Sequence, residues 1–345
     1  MNIHAKRVAD LQKLLRGKNL DGIIITQIKE TYFLSGFHQD RTALLITPSK
    51  AFAFLPKMFL QHFRQTADFI EPIVYDNYHE SIICAINEHG LKKVVFDPSG
   101  ESYLEGKFWV SKGFREFSGL VSSLRLVKEG EELSHLKKAC SIAAETFKQI
   151  KPKIKAGITE IEVAAEMEHM MRKKGAMEKS FDLIVAFGEN SALPHHETSS
   201  RKLKKNEPVL LDFGCVYGRY CSDITRTFFY GNPSDEFLKI YSTVEMAQKA
   251  GVAAAVAGRK GSQVDAVCRD LISAAGYGQY FIHGTGHGVG LQIHEDPYLN
   301  TKGETVLKEG MTVTVEPGIY LYGKFGVRIE DTVLVGKKKS VPLTR

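Results

Sequence analysis

Apolar positions recur along this chain with two periods, and their alternation outlines two regions. Over residues 4–16, Val8, Leu11 and Leu15 have the spacing of one helical face, and Gly17 stops it. Short apolar runs at 22–26, 43–47, 51–55 and 94–97 read as strands, and helical stretches such as 81–88 fall between them. Strands alternating with helices predict an α/β domain. The pattern lapses between 118 and 128. A long helix then begins at an acidic start (Glu129, Glu131, Glu132), carries Leu133, Leu136, Cys140, Phe147 and Ile150 at helical spacing, and ends at Pro152. The boundary is placed near residue 123, giving domains 1–122 and 123–345.

The second region reads as α+β. Thr159 with Glu162 forms a capping box for a helix reaching Gly175, and a strand follows at 181–187. Ser234 can cap a third helix running to Val256. Ser262 with Asp265 can cap a fourth, stopped at Gly276. The remainder is Gly-rich and β-like at 281–294, 311–320 and 327–335, and two units of strands plus a helix pair fit the order.

The stretch 209–229, VLLDFGCVYGRYCSDITRTFF, organises that region. Two β-prone runs flank Tyr217-Gly218, a hairpin signal. With those two residues as the loop, Val216 faces Arg219, Gly214 faces Cys221, and Asp212 faces Asp223. Like charges directly opposite on one face are destabilising unless a cation sits between them. Asp212 also interrupts an apolar run, where an unpaired carboxylate is costly. Both features favour a shared metal site over a solvated hairpin. In this register Cys215 points away from the aspartates and Cys221 points with Asp223, which leaves a thiolate ligand open.

Composition narrows the class. The chain has 345 residues, too many for one ordinary core, with 43% hydrophobic and 25% charged residues. The net charge of +6 is spread out, and runs such as 202–205 and 337–339 read as solvated turns, so no nucleic-acid partner is expected. Five cysteines, an odd number with no Cys-x-x-Cys, fit reduced thiols in a cytoplasmic protein. The charged start MNIHAKRVAD lacks a signal-peptide core, and no apolar run is long enough to span a bilayer.

Candidate chemistry gathers late in the chain. Three of the twelve histidines lie between His283 and His294 in FIHGTGHGVGLQIHED, and His195-His196 follow Pro194. In an extended chain His283 and His287 share a face. The glycines there do not form a dinucleotide loop, because position 289 is Val and no βαβ unit surrounds them. Glu316 ends a β-prone run and precedes Pro317-Gly318. Glu330 lies in an alternating strand, 327–335, with Arg328 two residues before it on the same face. Asp212, Asp223, Glu316 and Glu330 with one histidine make an oxygen-rich set whose charge two divalent cations would neutralise. Such a set suits Mn2+, Co2+ or Zn2+.

Asp212 and Asp223 with ten residues between them, HGTGHGVGLQIHE, EPGIY and RIED in that order resemble the pita-bread metallopeptidases, and most of all the Xaa-Pro peptidases, aminopeptidase P and prolidase. SALPHHE resembles the family segment with a catalytic histidine after Pro, and 21–26 and 32–37 resemble the start of its creatinase/prolidase-like N-terminal α/β domain. The resemblance implies an α+β pita-bread catalytic domain with two divalent metals, Mn2+ first, held by Asp212, Asp223, His287, Glu316 and Glu330. It implies exopeptidase cleavage between an N-terminal residue and proline in short proline-containing peptides, by a hydroxide bridging the metals. Glu316 would shuttle the proton, His294 would stabilise the oxyanion, and His195 would stand at the leaving-group side, with His196 its neighbour. His283, Arg328 and Tyr320 would line the proline side of the pocket. A homodimer is implied by the same likeness.

Alternatives remain at this stage. Methionine-aminopeptidase-like specificity would normally come without the N-terminal domain. The metal-free creatine hydrolases have lost the ligands that are present here. A non-catalytic binding protein of the same fold would have no use for the ligand set.

Overall fold

The computed structural model describes residues 2–345, and the chain divides into two compact units that meet between Arg125 and Leu126. The first unit is built on a six-stranded sheet in the order Glu71–Val74, Ala51–Leu55, Ala43–Ile46, Gly22–Ile25, Val94–Phe96, Arg115–Glu116. Gly22–Ile25 pairs antiparallel with Ala43–Ile46 and parallel with Val94–Phe96. These central strands are buried along their whole length, which is why they read as continuous apolar runs. Ile24, Leu45, Phe52, Phe54 and the single Trp109 pack in the core of this unit. The edge strand Arg115–Glu116 escaped the pattern because both side chains are charged and exposed, and Glu71–Val74 because it is short, carries Pro72 and is only half-buried at its centre.

The second unit has two cores, each roofed by a helix pair. Gly130–Ile150 and Glu160–Lys173 pack on the strands Ile184–Phe187 and Glu207–Phe213, joining Ala143, Met167, Val185 and Leu211. Asp235–Ala254 and Gly261–Ala274 pack on Thr312–Val315 and its neighbours, joining Ile240, Cys268, Val313 and Val327. The Thr159/Glu162 capping box and the Ser234 cap form as the sequence predicts. The fourth helix does not start at Ser262. Its N-cap is Lys260, whose amide donates to Gln263 Oε1 at 2.9 Å, and Asp265 is buried one turn further on. Asp265 takes hydrogen bonds from Thr285 and an ion pair from Arg269, so a tertiary partner claimed the residue that local pattern assigned to a cap.

The hairpin register also differs from expectation. The loop is Gly218-Arg219, both with positive φ (54° and 73°), the geometry of a two-residue hairpin turn whose twist matches its strands. Tyr217 instead pairs with Tyr220, Val216 with Cys221, and Asp212 with Thr225. The two aspartates are therefore not directly opposite. The partner strand is displaced by two residues, a full side-chain period, so the slip does not invert the faces, and both acids still reach one cavity. The β-like stretches are also more broken than predicted. Only Gly286–Gly288 of 281–294 is strand, so His283 precedes it in a loop, and Ile329-Glu330 separates the strands Phe325–Arg328 and Asp331–Leu334.

Gly214 sits where the ladder of the hairpin is interrupted, between the strands Glu207–Phe213 and Cys215–Tyr217. A Cβ there would collide with the Ser222 carbonyl oxygen and with Ser180 Oγ, which themselves hydrogen-bond at 2.9 Å. Gly214→Ala is expected to lower stability by about 3 kcal/mol, the upper range of overpacking, read as a fall in Tm. An unchanged Tm would mean that this crossing can open freely.

Candidate metal centre and active site

One cavity of about 880 Å3 in the second unit collects the chemistry. Asp212, Asp223, His287, Glu316 and Glu330 line it, together with His195, His283, His294 and Arg328. Tyr320 is not among the lining residues and stands behind them. The acids arrive from different elements. Asp212 comes from Glu207–Phe213, Asp223 precedes Ile224–Tyr230, Glu316 follows Thr312–Val315, and Glu330 lies between Phe325–Arg328 and Asp331–Leu334. Each of the last three sits just outside a strand, and the Glu316 and Glu330 amides donate to the Thr285 and Thr225 carbonyl oxygens, which fixes their backbones beside the cavity.

Asp223, His287 and Glu330 each offer a donor atom, and these atoms lie within 4.8 Å of one another. His287 Nε2 is 3.6 Å from Asp223 Oδ2 and 3.3 Å from Glu316 Oε1. His287 Nδ1 lies 3.0 Å from the Gly288 carbonyl oxygen, so it carries the proton in the neutral ring and leaves the Nε2 lone pair facing the carboxylates. Asp212 Oδ1 and Glu330 Oε1 are buried without a hydrogen-bond partner. An orphaned carboxylate oxygen is costly in a protein interior, and a cation resolves that cost. Oxygen donors with one imidazole suit a divalent metal, so the residues present fit the group. No cysteine belongs to the three-donor group. Cys221 packs instead with Val216 and Val289, and Cys215 donates to the Ala139 carbonyl oxygen.

The acids hold their protons unequally. Burial pushes Asp223 and Glu330 well above the usual carboxylate range, and neighbouring carboxylates add to the effect. Asp212 is also raised by burial, although Arg328 opposes the shift. Burial acts on Glu316 in the same sense, but His287, His283 and Arg328 outweigh it and hold the carboxyl down at about 2. His287 is raised despite burial, because Glu316 bonds to it. His294 is lowered by burial and by the nearby charge of His287, so its ring is neutral at neutral pH.

Around the acids stands a hydrogen-bonded frame. Arg328 is buried, and its Nη2 donates to Asp212 Oδ2 (2.6 Å), its Nη1 to Tyr320 Oη (2.7 Å) and the Pro194 carbonyl oxygen (3.3 Å), and its Nε to Thr225 Oγ1 (3.1 Å). Thr225 passes its own proton to Glu330 Oε2 at 2.7 Å. His283 Nδ1 donates to the Gly284 carbonyl oxygen, which leaves Nε2 to accept from Tyr320 Oη at 2.9 Å. Thr314 Oγ1 donates to Glu316 Oε1 and accepts the His287 amide. The two threonines were not singled out from sequence. Thr225 had a readable signal, two residues from Asp223 on a strand-like run, whereas Thr314 is one of many alternating strand residues. His195 is exposed in the cavity wall, and His196 beside it also lines the cavity but bonds Glu160 Oε2 at 2.8 Å.

Comparison with known proteins places this architecture. Residues 134–337 match the metallopeptidase family M24, and residues 7–127 match the creatinase/prolidase N-terminal domain. The chain is 35% identical to the Xaa-Pro dipeptidase of Pyrococcus furiosus over 345 residues, 99% of this chain and 98% of that one. Among solved structures, the Xaa-Pro dipeptidase from Bacillus anthracis superposes with a TM-score of 0.96 at 38% identity, covering 99% of this chain and 98% of that one. The X-Pro aminopeptidase from Thermotoga maritima superposes with a TM-score of 0.86 at 33% identity, covering 95% and 96%. With its creatinase/prolidase N-terminal domain followed by a mixed α and β catalytic unit, this chain belongs to the metallopeptidase family M24 and is a peptide hydrolase.

Proposed function

We propose that this chain is a binuclear-metal exopeptidase that removes an N-terminal residue from proline in short Xaa-Pro peptides. The observation that carries the reading is the convergence of Asp223, His287 and Glu330 beside two orphaned carboxylate oxygens, Asp212 Oδ1 and Glu330 Oε1. Four carboxylates meet there, and Arg328 offsets only Asp212 through their ion pair. Two divalent cations, Mn2+ foremost and Co2+ or Zn2+ as substitutes, would offset the remaining negative charge and suit the donor chemistry. Bound between Asp212, Asp223, His287, Glu316 and Glu330, they would supply Lewis-acid polarisation and a nucleophilic water at neutral pH.

The chain's own residues then divide the work. Glu316, ionised at neutral pH, takes the proton of the attacking water and delivers it to the departing nitrogen. That nitrogen belongs to proline and has no hydrogen in the substrate, so it must gain one as the bond breaks. Neutral His294 donates an N–H to the carbonyl oxygen as its charge develops. His195 faces the leaving-group side. His283 and Arg328 form the proline wall, with Tyr320 supporting both from behind. The free α-amine of the substrate would be held near the metal site.

The test is hydrolysis of an Xaa-Pro dipeptide and a longer Xaa-Pro-Xaa peptide by metal-stripped protein reloaded with each cation. Metal-dependent release of the first residue is expected, and His294→Ala should lower kcat about 100-fold with bound metal unchanged. Cleavage of a Met-Ala peptide but of neither proline substrate would overturn the specificity. A fully active His294→Ala would remove that residue from the chemistry.

A further inference from the structure

Glu160 opens the helix Glu160–Lys173 directly after its N-cap Thr159. An acid in a first helical turn ordinarily points to solvent and helps the helix dipole, as exposed Glu162 does two residues later in the capping box. Glu160 has no solvent exposure at all. Its Oε1 accepts from the Phe187 amide (2.9 Å) and Asn190 Nδ2 (2.8 Å), and its Oε2 accepts from His196 Nε2 (2.8 Å), the Ser199 amide (3.0 Å) and Ser199 Oγ (2.6 Å). Burial works against the charge, yet the bonds from Ser199, His196, Phe187 and Asn190 outweigh it and hold the carboxyl below its ordinary value. All of these donors lie on the segment 187–199.

That segment carries Pro194, whose carbonyl accepts from Arg328 Nη1, and His195, which is exposed in the cavity wall. Thr198, between the Val185 amide and the Leu183 carbonyl, and Ser191, which accepts from the Gly326 amide, tie the segment elsewhere, but Glu160 alone gathers donors from both of its ends, and the ring next to His195 is committed to it. We propose that Glu160 is a positioning residue for peptide hydrolysis, holding His196 and both ends of the 187–199 segment so that His195 and the Pro194 carbonyl keep their places at the cavity. The inference rests on the reading of this cavity as the peptidase site. Misplacement of a reacting group by about 1 Å can lower turnover about 100-fold, so the anchor affects kcat more than KM.

The experiment measures kcat, KM, Tm and hydrogen exchange of residues 187–199 for wild type, Glu160→Gln, His195→Ala and the double variant, all metal-loaded. Glu160→Gln keeps the size of the side chain but turns an amide NH2 towards one set of donors. Its kcat on Xaa-Pro peptides is expected to fall about 10- to 100-fold at temperatures well below its Tm, with faster exchange in 187–199. The double variant should be no slower than His195→Ala alone, because coupled residues are not additive. Losses that multiply, or a kcat within twofold of wild type, would overturn the proposal and leave Glu160 a stabilising residue only. If Glu160→Gln does not fold, Ser199→Ala serves in its place. It removes one donor, and an unchanged kcat with unchanged exchange would count equally against the anchor. Wild-type protein that cleaves no proline peptide defeats the substrate reading instead. Exchange in 187–199 then still decides whether Glu160 orders the segment, and slow exchange in Glu160→Gln would overturn that as well.

Discussion

Asp223→Asn is expected to lower peptide hydrolysis by at least about a thousandfold while raising the Tm of the metal-stripped protein. Asp223 is buried beside Glu330 and Asp212, and their charges together with burial push its carboxyl far above the ordinary range. In the stripped protein its charge is therefore a liability, and a neutral isostere relieves it. With metal present the same charge is a ligand, and its loss removes bound cation and turnover together. Metal content by atomic emission, turnover and thermal unfolding check the three parts. Activity within tenfold of wild type would remove Asp223 from the ligand set, and a lower Tm in the stripped variant would defeat the repulsion argument.

The same shifts give a pH dependence for the stripped protein. Asp223 and Glu330 bind protons more tightly folded than unfolded, so the stability they contribute is present at low pH and is lost as pH rises above the ordinary carboxylate range. His287, also raised, acts in the same direction at pH values above those of an ordinary imidazole. Glu316 has the opposite sign, but its contribution is lost between the ordinary carboxylate value and about 2, so the windows are separate. Stripped wild type should become less stable from mildly acidic to neutral pH, and stripped Asp223→Asn should show a shallower decline.

Arg328→Met is expected to destabilise the stripped protein by about 3–5 kcal/mol, the cost of leaving one member of a buried ion pair alone, and to remove nearly all activity. Arg328 is only 4% exposed, and its planar fork reaches Asp212, Tyr320, Thr225 and Pro194 at once. Methionine fills part of the volume but satisfies none of these partners. The penalty should shrink in metal-loaded protein, because a cation beside Asp212 takes over part of the compensation. Arg328→Lys should recover little, since an ammonium cannot reproduce the fork. Denaturant unfolding with and without metal reads the difference. Equal destabilisation in both states would mean that Asp212 faces no cation.

Much of the architecture was legible because local rules and tertiary structure agree over the long elements. The helix from Gly130 and the capped helices after Thr159 and Ser234 bury the faces that their periodicity marks. The buried strands Ala43–Ile46 and Ala51–Leu55 stand where apolar runs placed them. The candidate residues were legible for a different reason. Carboxylates in apolar runs and histidines among glycines have no inexpensive place in an ordinary core, the remaining candidates came from the family resemblance, and nine of the ten line one cavity. The tenth, Tyr320, is buried behind the cavity, bonded to His283 and Arg328.

The sequence by itself therefore determined most of the helices, the buried strands and the residue types that gather at the cavity, since periodicity and the cost of buried charge are local properties of the chain. Only the tertiary structure decided the hairpin register, the true start of the helix Gly261–Ala274, and the pairing of Asp212 with Arg328, residues 116 positions apart. It alone also separated His195 from His196, by bringing Glu160 to His196 and leaving His195 exposed in the same cavity wall. For Asp212, Asp265 and Glu160 a partner distant in sequence outweighed a local preference of about a kilocalorie, because a buried charge must find its hydrogen bonds wherever the fold supplies them.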